Sequence, residues 1–276
     1  MTAFRGSKPA PKRNRRAPRL RATPRLEVLE HRELLIRCLF TTLDVSDASF
    51  TFPYGINGSG KIVGAFDGHG FLKDSGGYNT LDVDVPGAHT EAHGINDSGQ
   101  IVGTYDDAFG RAGFLKDGGD YTKLYGASTW LDTSPYGIND SGQIVGFYLD
   151  IIDGHDHGFL WKGGDYTTFD VNVPGAYDTK AYGINNYGQI VGSYLDASNV
   201  EHGFLKDRSG YTTLDVPGSI STSATGVSGG NVVGIYLDSS NHYHGFLYTP
   251  DVAAVPEPSS LGLVGTATAA FAGYFG

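Results

Sequence analysis

An internal repeat narrows what this chain can become more than any other feature. The block GINGSGKIVG at Gly55 returns as GINDSGQIVG at Gly94 and Gly137, as GINNYGQIVG at Gly183, and in a worn form, GVSGGNVVG, at Gly226, at intervals of 39, 43, 46 and 43 residues. A second block, Gly-Phe-Leu, follows each copy, at Gly70, Gly113, Gly158, Gly203 and Gly245. A unit of this length cannot bury its apolar residues alone, so consecutive units must stack on one another.

Each unit reads as four short strands. The first runs into Gly-Ile-Asn, as in Thr179 to Asn185, and an Asn-Asp-Ser-Gly type of turn then reverses the chain, because Asn and Asp bond to their own backbone and Gly accepts positive φ. The second, Gln189 to Leu195, shows no plainly solvated face. That suits a sheet wedged between two others, and the Gly at its centre suits a close approach of the next sheet. The third is the His-Gly-Phe-Leu segment, and the fourth is Tyr-Thr-Thr-Leu-Asp-Val, as at Tyr211 to Val216, ended by Pro217-Gly218. The 41 glycines, 17 tyrosines and 15 phenylalanines, against a single Met, fit many short strands joined by tight turns.

Four antiparallel strands in such a unit make a propeller blade. The ends are complementary: the fourth-strand motif stands before the first Gly-Ile-Asn block, as Thr41-Thr42-Leu43-Asp44-Val45, and does not follow the fifth Gly-Phe-Leu. The expected fold is therefore all-β, a five-bladed β-propeller of four-stranded antiparallel blades over residues 39–249, closed by the N-terminal strand joining the last blade. The ordered blocks Thr-Thr-Leu-Asp-Val-Pro-Gly, Gly-Ile-Asn-Asp-Ser-Gly-Gln-Ile-Val-Gly, Tyr-Leu-Asp and His-Gly-Phe-Leu, spread over residues 40–248, resemble the bacterial extracellular repeat known as the HAF repeat. That resemblance implies an extracellular setting and no established activity. WD40 signatures are absent.

The ends read as addresses. Residues 1–37 carry +8 and the remainder −18, so residues 1–38 form a basic, mostly disordered leader on an acidic body. A body of that charge repels phosphate backbones, and no nucleic-acid partner is expected. Pro24-Arg25-Leu26-Glu27-Val28-Leu29-Glu30-His31-Arg32-Glu33-Leu34-Leu35 resembles the leader of some large bacterial surface proteins; its alternative is a short amphipathic helix with Leu26, Leu29 and Leu34 on one side. Residues 250–276 form a linker and apolar tail: Pro256, Glu257 and Pro258 precede a charge-free stretch, Ser259 to Gly276. This is similar to the PEP-CTERM sorting tail, which implies processing by an exosortase-type enzyme, although Tyr274-Phe275-Gly276 carries no basic cluster. Any membrane contact is expected only through this tail. Cys38 is the sole cysteine, which excludes an intramolecular disulfide.

The search for chemistry returns little. On the first strands only Glu91 and Asp178 are acidic near the places where five-bladed glycosidases set their carboxylates, which makes a glycoside hydrolase or lyase the alternative reading. The histidines before Gly-Phe-Leu (His69, His157, His202 and His244) would lie about 18 Å apart on neighbouring blades, too far to share one metal, so each is expected to bond within its own hairpin. Blade two has Ala112 instead. The loop from Asp150 to His157 gathers three carboxylates and two histidines without the spacing of an EF-hand. No cofactor, catalytic or metal site is expected. The leading expectation is an exported cell-surface or extracellular-matrix module that binds or displays without catalysis, with extracellular polysaccharide or envelope protein as partner.

Overall fold

The computed structural model describes residues 41–107 and 110–250; the basic leader and the tail with Pro256, Glu257 and Pro258 lie outside them. The chain divides after Thr42, and the compact unit from Leu43 onward carries the described strands. They build a five-bladed β-propeller of antiparallel sheets, one blade per repeat. Blade one holds β1 (Thr51–Ile56), β2 (Ile62–Phe66), β3 (His69–Asp74) and β4 (Gly77–Leu81), and blade two holds β5 (Thr90–Ile95), β6 (Ile101–Asp107), β7 (Gly110–Asp117) and β8 (Asp120–Leu124). Blade three runs through β9 (Trp130–Ile138), β10 (Ile144–Asp150), β11 (Asp156–Lys162) and β12 (Asp165–Phe169), and blade four through β13 (Tyr177–Ile184), β14 (Ile190–Leu195), β15 (Glu201–Asp207) and β16 (Gly210–Leu214). Blade five has three strands: β17 (Ser221–Ser228), β18 (Asn231–Leu237) and β19 (Tyr243–Tyr248).

Within a blade the repeat motifs do separable work. Asn96 accepts a bond from the Gln100 N–H (2.9 Å) and returns one from Nδ2 to the Gln100 side chain (2.8 Å), which closes the turn between first and second strands. The glycine at the centre of the second strand has a different reason from the expected one. The first strand bulges beside it, so a Cβ on Gly64, Gly103, Gly146, Gly192 or Gly234 would overlap the carbonyl oxygen of Phe52, Glu91, Ser134, Lys180 or Ser223 of the same blade. The phenylalanine of the third strand packs over the same spot. The close approach is thus inside the blade, not from the next sheet.

Between blades, the valine of one second strand inserts against two branched residues of the next blade. Val63 packs with Ile95 and Ile101, Val102 with Ile138 and Ile144, and Val145 with Ile184 and Ile190, all in continuous apolar clusters. Burying each such side chain contributes about 1.5–3 kcal/mol. A polar relay runs along the first turns: Asn57 Nδ2 donates to the Asn96 carbonyl (3.0 Å), Asn96 to Asn139 (3.1 Å) and Asn139 to Asn185 (3.1 Å). Turns of all five blades line one cavity of about 490 Å³, which places them around a common axis.

The blade-on-blade packing stops at blade five. Val63, Val102, Val145 and Val191 are fully buried, whereas Val233, their equivalent on β18, is 49% exposed. At the other end Ile56 is 67% exposed, where its counterparts Ile95, Ile138 and Ile184 are buried. Among the described residues no fourth strand stands beside β19, and residues 43–45 are in no strand.

Candidate functional site

The residue before Gly in each Gly-Ile block points to the same feature. Tyr54, His93, Tyr136 and Tyr182 occupy that position in blades one to four, with Thr225 in blade five. Because these strands surround one axis, the side chains meet from blade to blade. Tyr54 and His93 have ring centroids 5.4 Å apart, His93 stacks on Tyr136 at 4.4 Å, and Tyr136 meets Tyr182 edge-on at 5.4 Å. Phe52 and Phe50 prolong the row beyond Tyr54, at 6.4 and 5.2 Å between successive rings.

The start of this row lies open. Phe50, Phe52 and Tyr54 are all exposed and form one wall of a cleft of about 500 Å³ between blades one and two, whose other lining includes Asp67, His89, Glu91, Asp106 and Arg111. Arg111 Nε bonds to Asp106 Oδ1 at 3.4 Å. Burial opposes the charge on Arg111, but Asp106 and Glu91 outweigh it and raise its pKa. A second cleft of about 510 Å³ shares Asp106 and Arg111 and continues to Asp132, Ser134, Phe147 and Asp156 of blade three. His93, within the row, shares a hydrogen bond with Thr104 Oγ1 at 3.1 Å. Its pKa is lowered to about 4, first by burial and then by Arg111, so its ring is neutral at physiological pH. Burial, with Glu91 next, raises Tyr54. The arrangement offers flat apolar rings beside fixed carboxylate and guanidinium groups.

The two carboxylates expected to form an acid and base pair are put to different uses. Glu91 lines the cleft, with Oε2 at 3.7 Å from His93 Nε2. Asp178, at φ 49°, accepts a bond from the Asp156 N–H (2.9 Å) and sits 3.1 Å from His155 Nδ1. It caps the second hairpin of the preceding blade, as Asp132, also at φ 49°, caps that of blade two by accepting from the Arg111 N–H. Asp178 does not line the cleft of Glu91.

The histidines serve the same architecture. Nδ1 of His69, His157 and His202 lies 2.9 Å from Asp82, Asp170 and Asp215, each the residue that follows the fourth strand. The partner is therefore the aspartate of the Leu-Asp-Val or Phe-Asp-Val motif, with a second carboxylate from the local hairpin at His157 (Asp153, 3.1 Å) and His202 (Asp196, 3.4 Å). The acidic loop of blade three is likewise occupied by protein groups. Asp150 accepts from the Ile152 N–H, Asp153 from the His155 N–H, and Asp156 pairs with Lys180 at 3.0 Å.

The aromatic row is not among the residues expected from sequence, which on the first strands are the carboxylates Glu91 and Asp178. Its signal was available: an aromatic or imidazole ring precedes Gly in four of the five repeats.

No family model matches the chain, and no curated protein matches it. Among solved structures, a mutant of the Aleuria aurantia lectin in complex with alpha-methyl-L-fucoside is similar at 12% identity over 73% of this chain and 74% of that one, with a TM-score of 0.45. A fungal lectin of the same name, described as a six-bladed β-propeller, aligns at 11% identity over 72% and 73% with a TM-score of 0.44. The SapL1 lectin in complex with alpha methyl fucoside aligns at 12% identity over 73% and 82%, with a TM-score of 0.41. Scores of this size carry nothing about a ligand over to this chain.

Proposed function

We propose that the chain is a non-catalytic binding propeller whose ligand is a carbohydrate, held in the cleft between blades one and two. The observation that carries this reading is the exposed row Phe50, Phe52 and Tyr54 facing Glu91, Asp106 and Arg111 across about 500 Å³. The apolar C–H faces of a pyranose pack on aromatic rings, and its hydroxyl groups need donors and acceptors fixed in advance, which a carboxylate and guanidinium pair supplies. The second cleft, continuous with the first through Arg111, gives room for more than one sugar unit.

The setting belongs to the same proposal. The HAF-type repeat supports an extracellular or cell-surface location, and Pro256, Glu257 and Pro258 before a charge-free tail support sorting by an exosortase-type enzyme. The reading also takes the fifth blade to be completed by a strand of the type Thr41–Val45, since that segment repeats the fourth-strand motif. A glycoside hydrolase using Glu91 and Asp178 finds no support, because hydrolysis needs two carboxyl groups flanking one bond and Asp178 is engaged as a hairpin cap.

The test is a glycan array probed with the full chain, followed by titration calorimetry of the strongest glycan. Retention of at least one glycan, lost on replacing Phe52 by Ala, is the expected result. An array with no retained glycan overturns the reading.

A further inference from the structure

The cleft between blades one and two is unbalanced in charge, and the imbalance comes down to one side chain. Three carboxylates line it, on Asp67, Glu91 and Asp106, against the single guanidinium of Arg111. Asp106 holds that guanidinium through Nε at 3.4 Å. Asp67 accepts from the Ser49 N–H at 2.8 Å, which commits one of its oxygens to the loop that carries Phe50. Glu91 stands apart. Its Oε2 lies 3.7 Å from Nε2 of His93, beyond hydrogen-bond reach. The imidazole cannot balance the carboxylate by charge either, since burial, and then Arg111, lower its pKa to about 4.

The neighbouring cleft shows the opposite arrangement. Each of its carboxylates is engaged by the chain itself: Asp156 by the Lys180 ammonium at 3.0 Å, Asp132 by the Arg111 N–H at 3.0 Å, and Asp106 by the Arg111 side chain. Glu91 is thus the carboxylate left over, and it lies in the cleft that carries the aromatic wall.

A ligand entering there strips water from Glu91. A neutral sugar leaves that charge desolvated and unpaired, and an acidic sugar adds repulsion, so both bind at a cost. An ammonium group on the ligand offsets the lost hydration with a charge-assisted bond. The same group is attracted to aromatic faces, and Phe50, Phe52 and Tyr54 are exposed, with successive rings 5.2 and 6.4 Å apart.

We infer that the cleft selects a hexosamine whose amino group is free, with its ammonium bonded to Glu91, a pyranose face on Phe52, and hydroxyl groups on Asp106 and Arg111. N-acetylation converts that ammonium to a neutral amide and removes the pairing. The inference rests on the carbohydrate reading of the same cleft and narrows its ligand class. The chain beyond residue 37 carries −18, so a cationic glycan is drawn to it from every side, and the part that depends on Glu91 is the part that belongs to the cleft.

The test prints amino-sugar glycans on an array as matched pairs, each beside its N-acetylated form, and probes them with the full chain at about pH 6, where sugar amines are protonated. At least one free-amine glycan is expected to bind about tenfold or more tightly than its acetylated partner, measured for that pair by calorimetry. Glu91→Gln and Glu91→Ala should narrow the ratio to within about twofold, whereas Phe52→Ala should weaken both members. Retention of glycans with no preference for the free amine overturns the inference and keeps the carbohydrate reading; an array with no retained glycan overturns both. A preference that survives both Glu91 variants places the amine elsewhere on the acidic body and also overturns it. So does tetralysine displacing the glycan as effectively as the free glycan does, because the cleft would then take a cationic peptide.

Discussion

The imidazole of His93 lies almost flat on the ring of Tyr136, with centroids 4.4 Å apart and planes 21° from parallel, so a titratable group seals the seam between blades two and three. Burial, then Arg111, lowers its pKa to about 4 from the ordinary 6.5. The unfolded chain then binds the proton more readily, and stability is complete above pH 6.5 and lost as pH falls toward 4, by about 3 kcal/mol in all. Urea unfolding at pH 7 and 4.5 should show the midpoint dropping on acidification, and dropping less in His93→Gln. His157 and His202 act with the opposite sign: their aspartate partners overcome burial and raise them, so their contribution is complete below 6.5 and fades as pH rises through the raised values.

Gly192→Ala is expected to cost about 3 kcal/mol or more, since its Cβ would overlap the Lys180 carbonyl and press within 2.8 Å of Phe204. Gly188→Ala, at φ 77° with open space around it, should cost only about 1–2 kcal/mol. Thermal unfolding of the two variants side by side checks the order; equal losses would remove the steric argument.

Asn139→Ala takes away the acceptor for the Ser141 and Gln143 N–H groups and the donor to the Asn185 carbonyl, at a buried position. The expected loss is about 2–3 kcal/mol, read from denaturant midpoints.

For the cleft, Phe52→Ala and Arg111→Ala should each weaken glycan binding by about tenfold or more. Asp178→Asn should leave the affinity within about twofold, because its carboxylate serves a hairpin of another blade. Calorimetry on the same glycan compares them, and a large loss in Asp178→Asn would reopen the hydrolase reading.

Much of this architecture was legible in the chain because it is written five times. Repetition turned Asn-Asp-Ser-Gly into a turn and Gly-Phe-Leu into a strand with a confidence of placement that one copy does not offer. The function of single positions was harder to see. Gly192 was matched to the next sheet when the pressure comes from Lys180 of its own blade, because the bulge in β13 that aims that carbonyl has no sequence mark. His202 bonds within its own hairpins, as expected, but the identity of its nearer partner, Asp215 just after β16, is a relation of register and not of spacing. The Tyr54 to Tyr182 row needs the blades brought round one axis before its members become neighbours.

The relay from Asn57 through Asn96 and Asn139 to Asn185 runs in one direction, and among the described residues it ends at Asn185, whose Nδ2 donates to Gln189 of its own blade. Every link is made by one residue type acting on the same residue type a repeat later. A duplicated or deleted gene segment would therefore carry both sides of its junction with it, so such a protein can change its number of blades by copying errors alone.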